Sequence, residues 1–177
     1  METLLKELIV GIKKGEPSAL EKLVLNVGPM LFSFVFRILY NHQDTEDVLQ
    51  ETFTIIFKKA GQKNPTEGSA RSWIYSIAKN EALRVLRKRK ADKNPDDSFP
   101  RGEQKVPTTT GNIEPEDIDQ ALKSVPIDLR IPFLMKECLD LTYEEISLLT
   151  DKDKSLVAQE IFRARKLLRE TLEKHRT

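Results

Sequence analysis

The chain has 177 residues, 39% hydrophobic and 32% charged, with 29 Lys and Arg against 28 Asp and Glu. That length allows one domain or two small ones, and its 7 Gly and 9 Pro exclude collagen-like and globally disordered chains. One cysteine, Cys138, and two distant histidines, His42 and His175, leave no disulfide framework, no cysteine-based zinc site and no histidine pair at metal-ligand spacing.

The start, Met-Glu-Thr-Leu-Leu-Lys-Glu, lacks the basic and apolar regions of a signal peptide. The longest apolar stretch, residues 31–40, is interrupted by Ser33 and Arg37 and falls short of the ~20 residues that cross a bilayer. A soluble, cytoplasmic protein without membrane insertion is expected.

The apolar spacing predicts a first helix over 2–14, with Leu4, Leu5, Leu8, Ile9 and Ile12 on one face and its end near Gly15. Ser18 and Glu21 form a capping-box pattern for a second helix, with a possible break at Gly28-Pro29 before it resumes to Tyr40. Asp44 is the expected N-cap of a third, to about Lys59, whose buried stripe is Val48, Leu49, Phe53, Ile56 and Phe57. A polar loop, 61–68, precedes a fourth helix from Ser69 to Lys90, with Ala70, Trp73, Ile74, Ile77, Ala78 and Val85 inward.

Residues 92–116 hold four of the nine prolines, two glycines and three successive threonines. This segment reads as a flexible linker, too long for a loop within a compact domain. Beyond it, helices are expected over 117–124, over 127–139 with Pro132 inside, from the Thr142/Glu145 capping box to Thr150, and over 155–174 with Val157, Ile161, Ala164, Leu167 and Leu168 inward. The fold class is therefore all-α. Two small helical domains, 1–91 and 117–177, flank the 92–116 linker.

Charge is segregated along this frame. Residues 41–51 carry four acids and no Lys or Arg, 79–93 carry seven Lys and Arg against two acids, and 152–176 carry eight against four. Such asymmetry points to more than one kind of partner. The last two helices, joined by a tight turn, form a helix-turn-helix candidate, with Arg163, Arg165, Lys166 and Arg169 late enough in the second for phosphate contact. A structural hairpin with solvated charges would show the same pattern. In the fourth helix, Arg84, Arg87, Lys88, Arg89 and Lys90 would track a phosphate backbone, and Trp73 and Tyr75 could stack on unpaired bases. Periodicity alone gives Trp73 to the core. Asp47 and Glu51, at i and i+4, share an exposed face that suits a basic protein partner or solubility alone. No phosphate loop, nucleophile elbow or zincin motif is present, so no enzyme and no cofactor are expected.

Asp44-Thr-Glu-Asp47-Val-Leu-Gln50-Glu51-Thr-Phe53, then Trp73-Ile-Tyr75-Ser-Ile-Ala-Lys79-Asn80 and a basic run, resembles region 2 of the extracytoplasmic-function (ECF) group of bacterial sigma-70 family factors. Val125-Pro126 with Arg130, Leu141-Thr-Tyr143-Glu144-Glu145-Ile146, a turn, and Ile161-Phe-Arg163-Ala-Arg165-Lys-Leu-Leu-Arg169 resemble their region 4.

The resemblance implies an alternative sigma factor. Asp44, Asp47, Gln50 and Glu51 would dock on the β′ clamp of RNA polymerase core. The 62–69 loop with Arg71, Trp73, Lys79, Asn80, Arg84, Arg87 and Lys88 would open and hold the −10 promoter DNA. Ser155, Ala158, Gln159, Phe162, Arg163, Arg165 and Arg169 would meet the −35 element, with region 4 also contacting the β flap. An anti-sigma factor is an expected partner.

The segment 155–160 departs from the family pattern. Two expected bases are missing, and Glu160 would repel phosphate or accept a hydrogen bond from cytosine. Asp140 stands where a turn glycine is common, and Pro132 removes a helical N–H. Two rivals follow: a degenerate sigma-like protein that holds polymerase or an anti-sigma factor without −35 readout, and a helix-turn-helix repressor. The repressor would dimerise on a palindromic site and would not need the acidic helix.

Overall fold

The computed structural model describes residues 1–62, 69–92 and 115–175. The expectations for the 92–116 linker and for the −10 loop fall almost wholly outside the described residues. Those described form eight helices and no strand.

Helix α1 (Glu2–Lys13) buries Leu5, Leu8, Ile9 and Ile12 and ends in a turn at Gly15, φ 76°. Gly11 lets it approach the next helix, since a Cβ there would lie 2.9 Å from the Ala19 Cβ. Helix α2 (Pro17–Leu39) starts differently from the expectation. Glu16 is the N-cap, Pro17 takes the first turn, and no capping box forms at Ser18. It also runs unbroken through Pro29. That residue is exposed, and so is Leu25, the carbonyl owner one turn back, so water can take the hydrogen bond that proline cannot make. By length and apolarity α2 could cross a membrane, contrary to the sequence estimate. Here it is the central helix, with Leu23, Val27, Leu31, Phe34, Val35 and Ile38 buried against its neighbours.

Helix α3 (His42–Lys59) is capped by Asn41, whose side chain accepts from the Asp44 amide at 2.9 Å; Asp44 is not the cap. Its buried side is Thr45, Val48, Thr52 and Ile56, and Phe57, expected inside, is 56% exposed. The stripe is rotated toward the threonines, whose hydroxyls bond carbonyls one turn back and so enter the core satisfied. Helix α4 (Ala70–Asp92) closes the first bundle.

The second group comprises α5 (Pro115–Ser124), α6 (Ile127–Glu137), α7 (Tyr143–Thr150) and α8 (Lys154–His175). Pro132 lies buried inside α6 without ending it. The capping box at Thr142 and Glu145 is present. Asp140 has φ 48°, a left-handed conformation that explains why glycine suits the position. Helices α5, α6 and α7 all pack on α8, and α2 and α4 also touch α5, α6 and α7, so the two groups are in contact.

Candidate polymerase and nucleic-acid interfaces

The acidic surface rises from α3. With Val48, Thr52 and Ile56 inward, the helical period turns Asp47, Gln50 and Glu51 outward, and all three are exposed. Gln43 Nε2 donates to Asp47 Oδ1 at 3.2 Å. Phe57 continues the same face, one helical turn beyond Thr54 and two beyond Gln50. Sequence reasoning missed it by counting every large apolar residue as core. Asp44 stands apart: its carboxylate pairs with Arg89 of α4, whose other nitrogen donates to the Leu39 carbonyl at 3.0 Å. The two residues tie α4 to the start of α3, so Arg89 leaves the basic strip and Asp44 is already engaged.

On α4, Trp73, Asn80, Arg84 and Arg87 recur at spacings of seven, four and three, along one stripe. Asn80, Arg84, Arg87 and Lys88 are exposed, and Trp73 is half-buried at the stripe's N-terminal end. Tyr75 is not available for base stacking. It is 2% exposed and meets Phe34 edge-on, ring centroids 6.0 Å apart, because helices cover α4 over more than a simple stripe. Burial pushes its phenol up to about 12.

Arg71 and Lys79 point to a different side of α4, toward α7. Arg71 Nη2 donates to the Asp140 carbonyl at 3.0 Å, the Ser72 hydroxyl donates to Glu145 Oε1 at 3.0 Å, and Lys79 Nζ donates to the Leu149 carbonyl. Burial lowers the pKa of the Lys79 ammonium. The N-terminus of α4 is held from far away. Glu2 accepts from the Ala70 and Arg71 amides and from the Ser69 hydroxyl. Burial pushes its carboxyl up, but these donors outweigh it and hold the pKa below the ordinary value.

A second set of bonds joins the two helix groups at the far end of α2. Arg37 Nε reaches Asp119 Oδ1 at 3.0 Å, Tyr40 Oη donates to the Asp119 carbonyl at 3.1 Å, and Arg130 Nη1 donates to the Arg37 carbonyl at 3.1 Å. Tyr40 closes α2 in the left-handed conformation, φ 47°, and its ring lies under Lys123 at 5.5 Å and Arg130 at 5.3 Å.

In the helix-turn-helix, the Ser147 hydroxyl donates to the Lys152 carbonyl, and Lys152 Nζ pairs with Glu160 at 2.6 Å. Glu160 is 7% exposed, and its second oxygen finds no partner among the described residues. It therefore faces inward and neither repels phosphate nor reads a base. Its position three residues after Val157 and four before Ala164 gives the physical reason. Ser155, Ala158, Gln159, Phe162, Arg163 and Arg169 are exposed. Arg165 is held by Glu137 of α6, which raises its pKa. Among the described residues no cluster of three or more His, Cys, Asp or Glu side chains is placed to hold a metal.

Residues 23–91 match the family model for sigma-70 region 2, and residues 116–168 match that for sigma-70 region 4. The chain is 28% identical to the ECF RNA polymerase sigma factor SigE of Mycolicibacterium smegmatis over 88% of its own length; it spans 62% of that relative. It is 25% identical to the RNA polymerase sigma-H factor of Pseudomonas aeruginosa, covering 95% of this chain and 93% of the relative. Against ECF sigma factor SigW of Bacillus subtilis the identity is also 25%, with 97% and 98% covered. In fold it is similar to the sigma factor RpoE from Bartonella quintana, solved with the anti-sigma factor NepR (TM-score 0.75, 22% identity, 88% of this chain and 98% of that one). It is likewise similar to CnrH, solved with the cytosolic domain of CnrY (TM-score 0.72, 17% identity, 97% and 98%).

Proposed function

Because the chain belongs to the sigma-70 family, in its ECF group, we propose that it is an alternative sigma factor that binds RNA polymerase core and directs it to specific promoters. The observation that carries this is the order of the two matches, region 2 then region 4, with a linker-length gap between them. The partners are core polymerase, promoter DNA and an anti-sigma factor, the last supported by the structural neighbour solved with the anti-sigma factor NepR. The protein works in the cytoplasm, where the polymerase is, and contributes binding energy in place of covalent chemistry.

The domains divide as 1–91, 92–116 and 117–177. Asp47, Gln50 and Glu51 meet the basic β′ clamp, with Phe57 supplying apolar area beside them; Asp44 supports this face through Arg89. Trp73, Asn80, Arg84, Arg87 and Lys88 take the −10 DNA along the exposed stripe of α4, with Arg71 and Lys79 joining when α7 moves off them. Region 4 meets the −35 duplex through the exposed face of α8, with Arg163 and Arg169 on phosphates. Arg165 serves there only if it leaves Glu137.

Run-off transcription with purified core tests the reading. Discrete starts that appear only when the chain is added are expected. Core binding without initiation would establish the degenerate, interaction-only alternative instead.

A further inference from the structure

Down the outward centre of α8 run Ser155, Gln159, Phe162 and Lys166, at spacings of four, three and four, with Val157, Glu160, Ile161 and Ala164 buried on the opposite side. Phe162 is 67% exposed, and Ala158 lies one turn before it. The first base after Lys154 is Arg163, and Lys154 already lies 3.5 Å from Glu144. Past Lys154, the first residue of α8, the opening turns that enter a major groove carry no Arg or Lys, the side chains that read guanine. The carboxylate that could read cytosine, Glu160, is folded into the core against Lys152. What remains outward between Lys154 and Arg163 is the Ser155 hydroxyl, which suits either base of a pair, the Gln159 amide, and the apolar groups of Leu156, Ala158 and Phe162.

We propose that this face reads an A·T-rich −35 element: Gln159 pairs with the N6 and N7 edge of an adenine, and Phe162, with Ala158 beside it, packs against thymine 5-methyl groups. The amide matches adenine's donor and acceptor pair, and apolar side chains are the groups that distinguish thymine by its methyl. Arg163 and Arg169 flank the stripe, Lys166 continues it, and the three hold the phosphates without adding sequence preference. The inference rests on the sigma-factor reading.

The test uses holoenzyme reconstituted from core polymerase and the full chain. Promoters with a randomised −35 segment are selected by their transcripts, and A·T pairs should be enriched there. Each selected thymine is then replaced by deoxyuridine, which keeps the pairing and removes only the methyl. Promoter-complex formation should fall about three- to fourfold at one or two positions, the effect of exposing one methyl-sized group. Phe162→Ala should weaken the thymine promoter similarly and abolish the difference between thymine and deoxyuridine. Gln159→Ala should relax the adenine preference at one position by roughly tenfold. A G·C-rich selected element, or indifference of the unmodified protein to deoxyuridine, overturns the inference while leaving the sigma function standing. The wild-type deoxyuridine result decides even if Phe162→Ala fails to fold. Absence of initiation from every promoter overturns the sigma reading and this inference with it.

Discussion

Position 160 shows how much one rotation about a helix changes a residue's meaning. As a sequence letter Glu160 looked like a charge set against DNA; in the fold it closes the helix-turn-helix turn through Lys152. Lys152→Ala leaves a buried carboxylate unpaired and should destabilise the chain by ~1–3 kcal/mol, read as a shifted urea midpoint with an unchanged m-value. Ala158→Arg, by contrast, adds a cation on the exposed face. It should tighten binding to −35 duplex and steepen the log–log salt slope by about one phosphate contact; an unchanged slope would mean this face does not meet DNA. Tyr75 carries a pH consequence. Its folded pKa lies near 12, above the ordinary value of 10, so the stability it lends is complete below pH 10 and is lost as pH rises toward 12. The loss should reach ~1.4 kcal/mol per pH unit at most. Thermal unfolding of Tyr75→Phe across pH 9–12 should show a shallower alkaline decline than the parent, and equal declines would put the titrating group elsewhere.

Among the elements, periodicity alone located the helices of both groups, and the Thr142/Glu145 box marked the start of α7 correctly because every part of it is local. Cross-chain features were not legible. Glu2 caps α4 from 68 residues away, and no pattern near Ser69 announces it. The stripe of α3 was misjudged because two threonines, satisfied by their own helix, replace Phe57 inside. Outward placement on α3 was legible for Asp47, Gln50 and Glu51, all exposed, and not for Asp44, whose partner Arg89 sits on another helix. Reversing Asp47 and Glu51 to Lys should weaken core binding at least tenfold while changing stability by no more than ~0.5 kcal/mol. A folded double variant with parental core affinity would remove the clamp assignment. Glu2→Ala should weaken the start of α4 by ~1 kcal/mol, as loss of a cap does, seen as faster amide exchange near Ala70.

At the scale of the molecule, the two helix groups are fastened at both ends: Arg37 and Tyr40 to Asp119 and Arg130 to the Arg37 carbonyl at one, and Arg71 to Asp140 and Ser72 and Lys79 to α7 at the other. The sequence showed two domains because the linker composition is local, but gave no hint of these bonds, which join residues about 70 to 90 positions apart. Arg37→Glu places like charges opposite Asp119 and should loosen this end. Scattering should show a larger radius of gyration, and adding Asp119→Arg should restore the compact value. A compact single variant would show that the pair does not hold the groups together.

The bond from Lys79 to Leu149 also sets an exchange of partners. One ammonium on a backbone carbonyl is not available to a phosphate, so closure and full use of α4 compete for the same atom. Because the competitor is part of the same chain, dilution does not remove it. On the proposed reading, affinity for −10 DNA is divided by the fraction of molecules already open. If that fraction were about one in a hundred, a partner that held α7 away would strengthen DNA binding about a hundredfold without touching the DNA.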